Sequence, residues 1–208
     1  MLSSFLTKQI LPAVTLQKEE DALPVAEAMM KGGLEIMEIT FRTDIAARAI
    51  RRISTEYPEM IVGAGTILNT SQLQMAIDSG ARFALSPAFN APVCTEAKRL
   101  DFPFIPGIMT PTEMEAAYGL DYRILKLFPS EQIGGIAFLK SLSGPYGHLG
   151  IQFIPMGGVT LQNMDGFLKI PGVIAIGGSW LASQELIAEK NYPAITENVR
   201  RALQKVNN

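Results

Sequence analysis

The feature that most restricts this chain is a regular switch in its hydrophobic period. Short apolar runs of strand type alternate with longer helix-type stretches along all 208 residues. The strand-like runs are 10–16, 35–41, 60–64, 83–86, 104–105, 122–128, 152–155 and 173–176. Helix-like stretches follow them at 21–30, 44–57, 71–79, 92–100, 111–118, 135–142 and 161–168, and a last long helix ends near residue 206. A short helix leads the chain. Gly32-Gly33, Gly80 and Gly119 close three of the helices, and Pro58 lies just past the end of another. Strand–helix alternation implies a parallel sheet, because parallel neighbours need a crossover between them. Eight such units in this length predict a compact (β/α)8 TIM barrel, one domain over residues 1–208 with a short N-terminal helix. An open doubly wound sheet is the alternative. No linker or repeat divides the chain.

In such a barrel, functional groups gather at the C-terminal ends of the strands, and side chains along a strand alternate between interior and exterior. In the sixth strand, Ile124, Lys126 and Phe128 share one face while Leu125 and Leu127 form a purely aliphatic one. The aliphatic face suits packing against helices, so Lys126 points inward. Lysine is among the residues least often buried without a partner, and burial lowers the pKa of its ammonium. A neutral amine is what a carbonyl needs to form a Schiff base. A lysine that snorkels to solvent, or an internal ion pair, is the structural reading.

The second strand bears on that choice. Met37, Ile39 and Phe41 form its apolar face, and Glu38, Thr40 and Arg42 fall on the other. Consecutive polar residues down an interior are unfavourable unless used or paired. Glu38 suits general acid–base work and Arg42 suits a carboxylate. The bland alternative is a Glu38–Lys126 salt bridge with Arg42 on a solvated loop. The third strand ends Val62-Gly63-Ala64-Gly65-Thr66, where small residues let a ligand approach and Thr66 offers a hydroxyl. Gly157-Gly158 and Gly177-Gly178-Ser179 follow the last two strands, in the loops where many barrels bind phosphate. Each also reads as plain turn geometry.

Composition bounds the partners. Charged residues make up 18% of the chain, below the usual quarter, which points to a large core or to surface covered by another subunit. The net charge is −2 and there is no basic run, so nucleic acid is not the expected partner. No apolar run reaches the length of a membrane span, and residues 1–9 lack the apolar core of a signal peptide. Cys94 is the only cysteine, so a reducing, cytoplasmic setting is expected, without a cysteine metal site. His148 is the only histidine, which disfavours zinc chemistry and a serine–histidine triad. No metal and no cofactor are expected.

Glu38-Ile39-Thr40-Phe41-Arg42-Thr43, Gly63-Ala64-Gly65-Thr66, Lys126-Leu127-Phe128-Pro129, Gly157-Gly158-Val159 and Gly177-Gly178-Ser179-Trp180 resemble the motifs of one family. It is the 2-keto-3-deoxy-6-phosphogluconate / 4-hydroxy-2-oxoglutarate aldolases, class I enzymes on (β/α)8 barrels. The similarity covers nearly the whole chain. It implies Lys126 as the Schiff-base lysine and Glu38 as the proton carrier. It implies Arg42 and Thr66 at the pyruvyl carboxylate, with Pro87 and Phe128 shaping that pocket. Gly157, Gly158, Gly178 and Ser179 would cradle a substrate phosphate. The family is typically homotrimeric. Two positions depart from it. Met156 stands where sugar-phosphate enzymes commonly place a threonine that contacts substrate. The first strand, ending Ala13-Val14-Thr15-Leu16, lacks an arginine that helps some members hold phosphate.

The expected reaction is cleavage of a 2-oxo-4-hydroxy acid, with or without phosphate, to pyruvate and an aldehyde. A relative with a different aldehyde partner, such as one acting on the galactonate epimer, is an alternative. So are a phosphate-binding isomerase or synthase without a covalent intermediate, and a non-catalytic barrel in which Lys126 and Glu38 are only an ion pair.

Overall fold

The structure, a computed structural model, describes residues 2–207. The strands are β1 (Ile10–Val14), β2 (Ile36–Thr40), β3 (Ile61–Gly65), β4 (Ala84–Leu85), β5 (Phe104–Ile105), β6 (Gly107–Ile108), β7 (Ile124–Leu127), β8 (Gln152–Pro155) and β9 (Ile176–Gly178). The helices are α1 (Leu2–Phe5), α2 (Ala22–Gly32), α3 (Ala46–Glu56), α4 (Thr70–Asp78), α5 (Ala91–Arg99), α6 (Pro111–Gly119), α7 (Gly135–Tyr146), α8 (Met164–Leu168), α9 (Gln184–Ala188) and α10 (Tyr192–Val206). The fold is mixed α/β and all strand pairing is parallel. A curled six-stranded sheet runs β5-β4-β3-β2-β1-β9, and a three-stranded sheet runs β6-β7-β8.

The two sheets are adjacent at Pro106, the single residue between β5 and β6. The expected fifth strand, 104–105, is found as β5, and after Pro106, which lacks the N–H that a ladder needs, an unexpected short strand β6 pairs instead with β7. Near the other edge, Phe153 of β8 makes an isolated parallel bridge to Val173. The last strand begins three residues later than the pattern predicts, at Ile176. The expected single long C-terminal helix is two helices, α9 and α10. The chain turns at Asn191, whose side chain accepts from the Ala194 N–H, with Pro193 in the first turn of α10. In the other direction, α7 runs past its expected end, through Pro145 to Tyr146.

The apolar positions do what their spacing requires. All five residues of β2 are buried. Buried apolar side chains from Leu6 to Ala202 pack into one cluster. Where side chains crowd, glycine makes room. A Cβ on Gly63 would overlap the ring of buried Phe83, and one on Gly32 would come within 2.6 Å of Val199 on α10. The α2–α10 contact is tightened by Thr196, whose hydroxyl donates to the Ala28 carbonyl at 2.9 Å. Burying a side chain such as Phe83 stabilises by about 1.5–3 kcal/mol relative to leaving it exposed. The strand registers then set the site. Ala13 faces Glu38, Glu38 faces Gly63, Thr40 faces Gly65, and Gly107 faces Lys126.

Candidate active site

At the C-terminal ends of the strands lies a cavity of about 360 Å³. Its lining includes Glu38, Thr40, Arg42, Lys126, Phe128, Met156, Gly157, Gly158, Gly178 and Ser179, with Ala13, Thr15, Val159, Trp180 and Ser183. A larger cavity of about 500 Å³ lies elsewhere, between α3 and α4, lined by Arg48, Arg51, Gln74, Met75 and Asp78. It contains no buried titratable group, so size alone does not locate the chemistry.

Lys126 projects from β7 and Glu38 from β2. Their side chains are 5% and 1% exposed, and Lys126 Nζ lies 3.7 Å from Glu38 Oε1. That is an ion-pair distance, too long for a hydrogen bond. Glu38 Oε2 is buried and has no hydrogen-bond partner among the described residues. The amine also sits 5.1 Å from the centre of the Phe128 ring. Burial pushes the Lys126 pKa down, and the Arg42 charge adds to this, while Glu38 opposes it. Burial pushes the Glu38 carboxyl up, against the pull of Lys126 and Arg42. In both groups desolvation outweighs attraction, so the site favours a neutral, nucleophilic amine.

The local backbone is shaped to seat these groups. A Cβ on Gly65 would overlap Glu38 Oε2, so the carboxylate occupies the space that a side chain on β3 would need. A Cβ on Gly107 would likewise collide with the Pro87 backbone. One step along β1 and β2 from Glu38, the hydroxyls of Thr15 and Thr40 are hydrogen-bonded at 2.7 Å. Arg42 follows β2 and is exposed. On the opposite side, Gly157 and Gly158 have φ of 84° and 83°, a region that favours glycine. A Cβ on Gly158 would lie 2.5 Å from Glu131 Cβ. Asn163 holds this loop, donating to the Gly158 carbonyl at 3.0 Å. Met156 is buried, and its terminal methyl fills the space in front of Gly177.

Nine of the residues expected from the sequence therefore share one cavity: Lys126, Glu38, Arg42, Phe128, Met156, Gly157, Gly158, Gly178 and Ser179. Thr66 and Pro87 do not line it. Thr66 is half-buried just beyond β3 with φ of 58°, unusual for a β-branched residue. Pro87 follows β4, packed against Gly107. Val159, Trp180, Ser183, Ala13 and Thr15 line the cavity although the sequence pattern does not single them out for it. Ala13 and Thr15 are legible in principle, being two apart on a strand and so on one face. Trp180 and Ser183 lie beyond β9, where no periodicity applies.

The chain matches the family described as "Aldolase: KDPG and KHG aldolase" over residues 2–198. It belongs to the KDPG and KHG aldolase family. A 2-dehydro-3-deoxy-phosphogluconate aldolase of Treponema pallidum is 39% identical over 198 residues, covering 95% of this chain and 93% of that one. A KHG/KDPG aldolase of Escherichia coli is 38% identical over 200 residues, covering 95% and 92%. Among solved structures, a KDPG aldolase of Legionella pneumophila superposes with a TM-score of 0.91 at 34% identity, covering 94% of each chain. In that enzyme pyruvate was captured as a covalent carbinolamine. The KDPG aldolase of Zymomonas mobilis gives a TM-score of 0.89 at 32% identity, covering 96% of this chain and 94% of that one. The activity of this chain is accordingly that of an aldolase, a carbon–carbon lyase.

Proposed function

We propose that this aldolase cleaves 2-keto-3-deoxy-6-phosphogluconate, 4-hydroxy-2-oxoglutarate, or both, to pyruvate and an aldehyde. The observation that carries this reading is a buried amine and a buried carboxylate 3.7 Å apart in one cavity with Arg42. The lone pair of Lys126 Nζ adds to C2 of the substrate to give a carbinolamine. Loss of water leaves an iminium. Glu38 takes the C4 hydroxyl proton, the C3–C4 bond breaks, and its electrons pass to the iminium to give an enamine and the free aldehyde. Glu38 then returns a proton to C3, and water releases pyruvate and regenerates the amine. Iminium formation restores a positive charge beside Glu38, so attraction that burial had overridden returns at the step that needs it.

The remaining roles are those the family resemblance implies, and a shared cavity supports the ones given to Arg42, Phe128, Met156, Gly157, Gly158, Gly178 and Ser179. Arg42 and Thr66 hold the carboxylate, with Pro87 and Phe128 shaping the pyruvyl end. Strained backbone collects at functional sites, and the φ of Thr66 supports its role there. Gly157, Gly158, Gly178 and Ser179 receive the phosphate of the aldehyde half, and Met156 gives that half an apolar wall. A different aldehyde partner, such as that from the galactonate epimer, is the second reading; it is favoured by Met156, which cannot donate a hydrogen bond.

Borohydride added with pyruvate should leave a stable mass on the peptide containing Lys126. An unlabelled protein, or label elsewhere, overturns the mechanism. On architecture, the two sheets are proposed to close into one (β/α)8 barrel comprising the single domain 1–208, supported by their adjacency at Pro106 and the Phe153–Val173 bridge. A homotrimer would cover exposed Leu68, Met75 and Met109, and light scattering that finds a monomer would refute it. A cytoplasmic location suits the single, buried, free thiol of Cys94. Among the described residues, no helix is long and apolar enough to cross a membrane.

A further inference from the structure

We infer that the hydroxyl pair Thr15–Thr40 is a specificity-determining site that recognises a hydroxyl group on the aldehyde half of the substrate. The inference rests on the aldolase reading above. Both side chains are buried and both line the cavity that holds Lys126 and Glu38. Their oxygens are 2.7 Å apart, and among the described residues that contact is the only hydrogen bond either hydroxyl makes. One O–H is engaged between them, so the second O–H and the remaining lone pairs are open to the cavity. An interior position of this kind is filled at lower cost by valine, which has the same shape without the polar atom.

The strand order says which part of a substrate meets the pair. β1 lies between β2, which carries Glu38 and leads into Arg42, and β9, which carries Gly178. The register continues from Ala13–Glu38 and Val14–Ile39 to place Thr15 beside Thr40, one step nearer the strand ends than Glu38. A substrate joined to Lys126 at C2, with its C4 hydroxyl at Glu38 on β2 and its distal end at Gly178 and Ser179 on the β9 side, runs from β2 towards β9 and so passes β1. The carbons there belong to the aldehyde half, beyond the bond that breaks. A hydroxyl on them can both donate to and accept from the paired threonines, whereas a methylene would leave the open O–H unsatisfied.

The test runs the reaction in the direction of synthesis. Pyruvate is offered with glyceraldehyde 3-phosphate or with 3-oxopropyl phosphate, which lacks only the hydroxyl next to the aldehyde carbon. The unaltered protein should favour the hydroxylated acceptor in kcat/KM by about tenfold, the range of one well-made hydrogen bond to a buried group. Thr15→Val should reduce that preference to about one, and Thr15→Ser should keep it. Thr40→Val provides a second route to the same loss. A merely structural pair would lower activity on both acceptors equally and leave their ratio unchanged. An unaltered protein without the preference, or a Thr15→Val protein that retains it, overturns the inference. Borohydride trapping of pyruvate on Lys126 is read in the same samples. Trapping with an unchanged ratio overturns this inference alone, and absence of trapping overturns the aldolase mechanism with it.

Discussion

The two sides of the cavity are built on opposite rules. The side formed by β1 and β2 works through side chains: Thr15, Glu38, Thr40 and Arg42 each present a polar group. The side formed by the loop after β8 and the end of β9 works through their absence, with Gly157, Gly158 and Gly178 leaving backbone open to the cavity. The contrast teaches where each side is vulnerable. Losing a functional group damages the first, and gaining a methyl group damages the second. It is also incomplete, because the carboxylate of Glu38 has its place only while Gly65 lacks a Cβ.

The largest expected effect comes from the amine. Lys126→Met should lower kcat by at least about 10⁴-fold, in line with removal of a nucleophile. Coupled with Glu38→Leu, the same change should raise stability. Lys126 is shifted down from 10.5, so its contribution is full only above that pH and falls as pH drops toward its lowered value. Glu38 is shifted up from 4.5, so its contribution is full only below that pH and falls as pH rises through its raised value. Between these limits burial penalises the charged form of each group relative to the unfolded chain. Replacing the pair by apolar residues should therefore stabilise by about 1–4 kcal/mol. Calorimetry showing a lower Tm than the parent's would contradict this account. In the unaltered protein, the rate of pyruvate trapping should rise with pH and level off below about 10.4, where an ordinary lysine titrates. A rate still climbing through that range would mean an unperturbed amine.

Gly65→Ala tests whether the side-chain wall hides a dependence on empty space. Displacing the Glu38 carboxylate should reduce kcat by about 10²-fold, the effect of misplacing a catalytic group by about 1 Å. Normal kcat in a folded Gly65→Ala protein would show that Glu38 tolerates displacement. Gly158→Ala probes the other wall and should have the smallest effect. It combines a positive φ with a clash at Glu131. It should raise KM for the phosphorylated acid by about tenfold, the worth of one charge-assisted hydrogen bond, and leave KM for 4-hydroxy-2-oxoglutarate nearly unchanged. Equal increases for both substrates would remove the phosphate from that loop.

The two walls differ in legibility for the same reason that they differ in mechanism. Alternation along β2 puts Glu38, Thr40 and Arg42 on one face from the residue order alone, because strand side chains alternate with a period of two. Lys126 stands out as one cation in an apolar strand. The glycine loops are visible as glycine pairs, but a glycine in sequence does not say whether it serves a turn, a close approach or a ligand. The register of β1 against β2 is likewise invisible there, so Thr15 reads only as one residue of a first-strand end that lacks an arginine, and its bond to Thr40 emerges from the packing of the strands.

Sequence alone determined the parallel α/β architecture and the family, and it singled out Lys126 and Glu38 as the amine and carboxylate to examine. These depend on local periodicity and on residue type, which the chain carries in itself. The tertiary structure decided the rest. It set Lys126 at 3.7 Å from Glu38, a residue on a strand far away in the chain, made Gly65 the seat of that carboxylate, joined Thr15 to Thr40, and added the short strand β6 beyond Pro106. The first three are contacts between segments remote in sequence: register between neighbouring strands sets Glu38 against Gly65 and Thr15 against Thr40, and the approach of the two sheets sets Lys126 against Glu38.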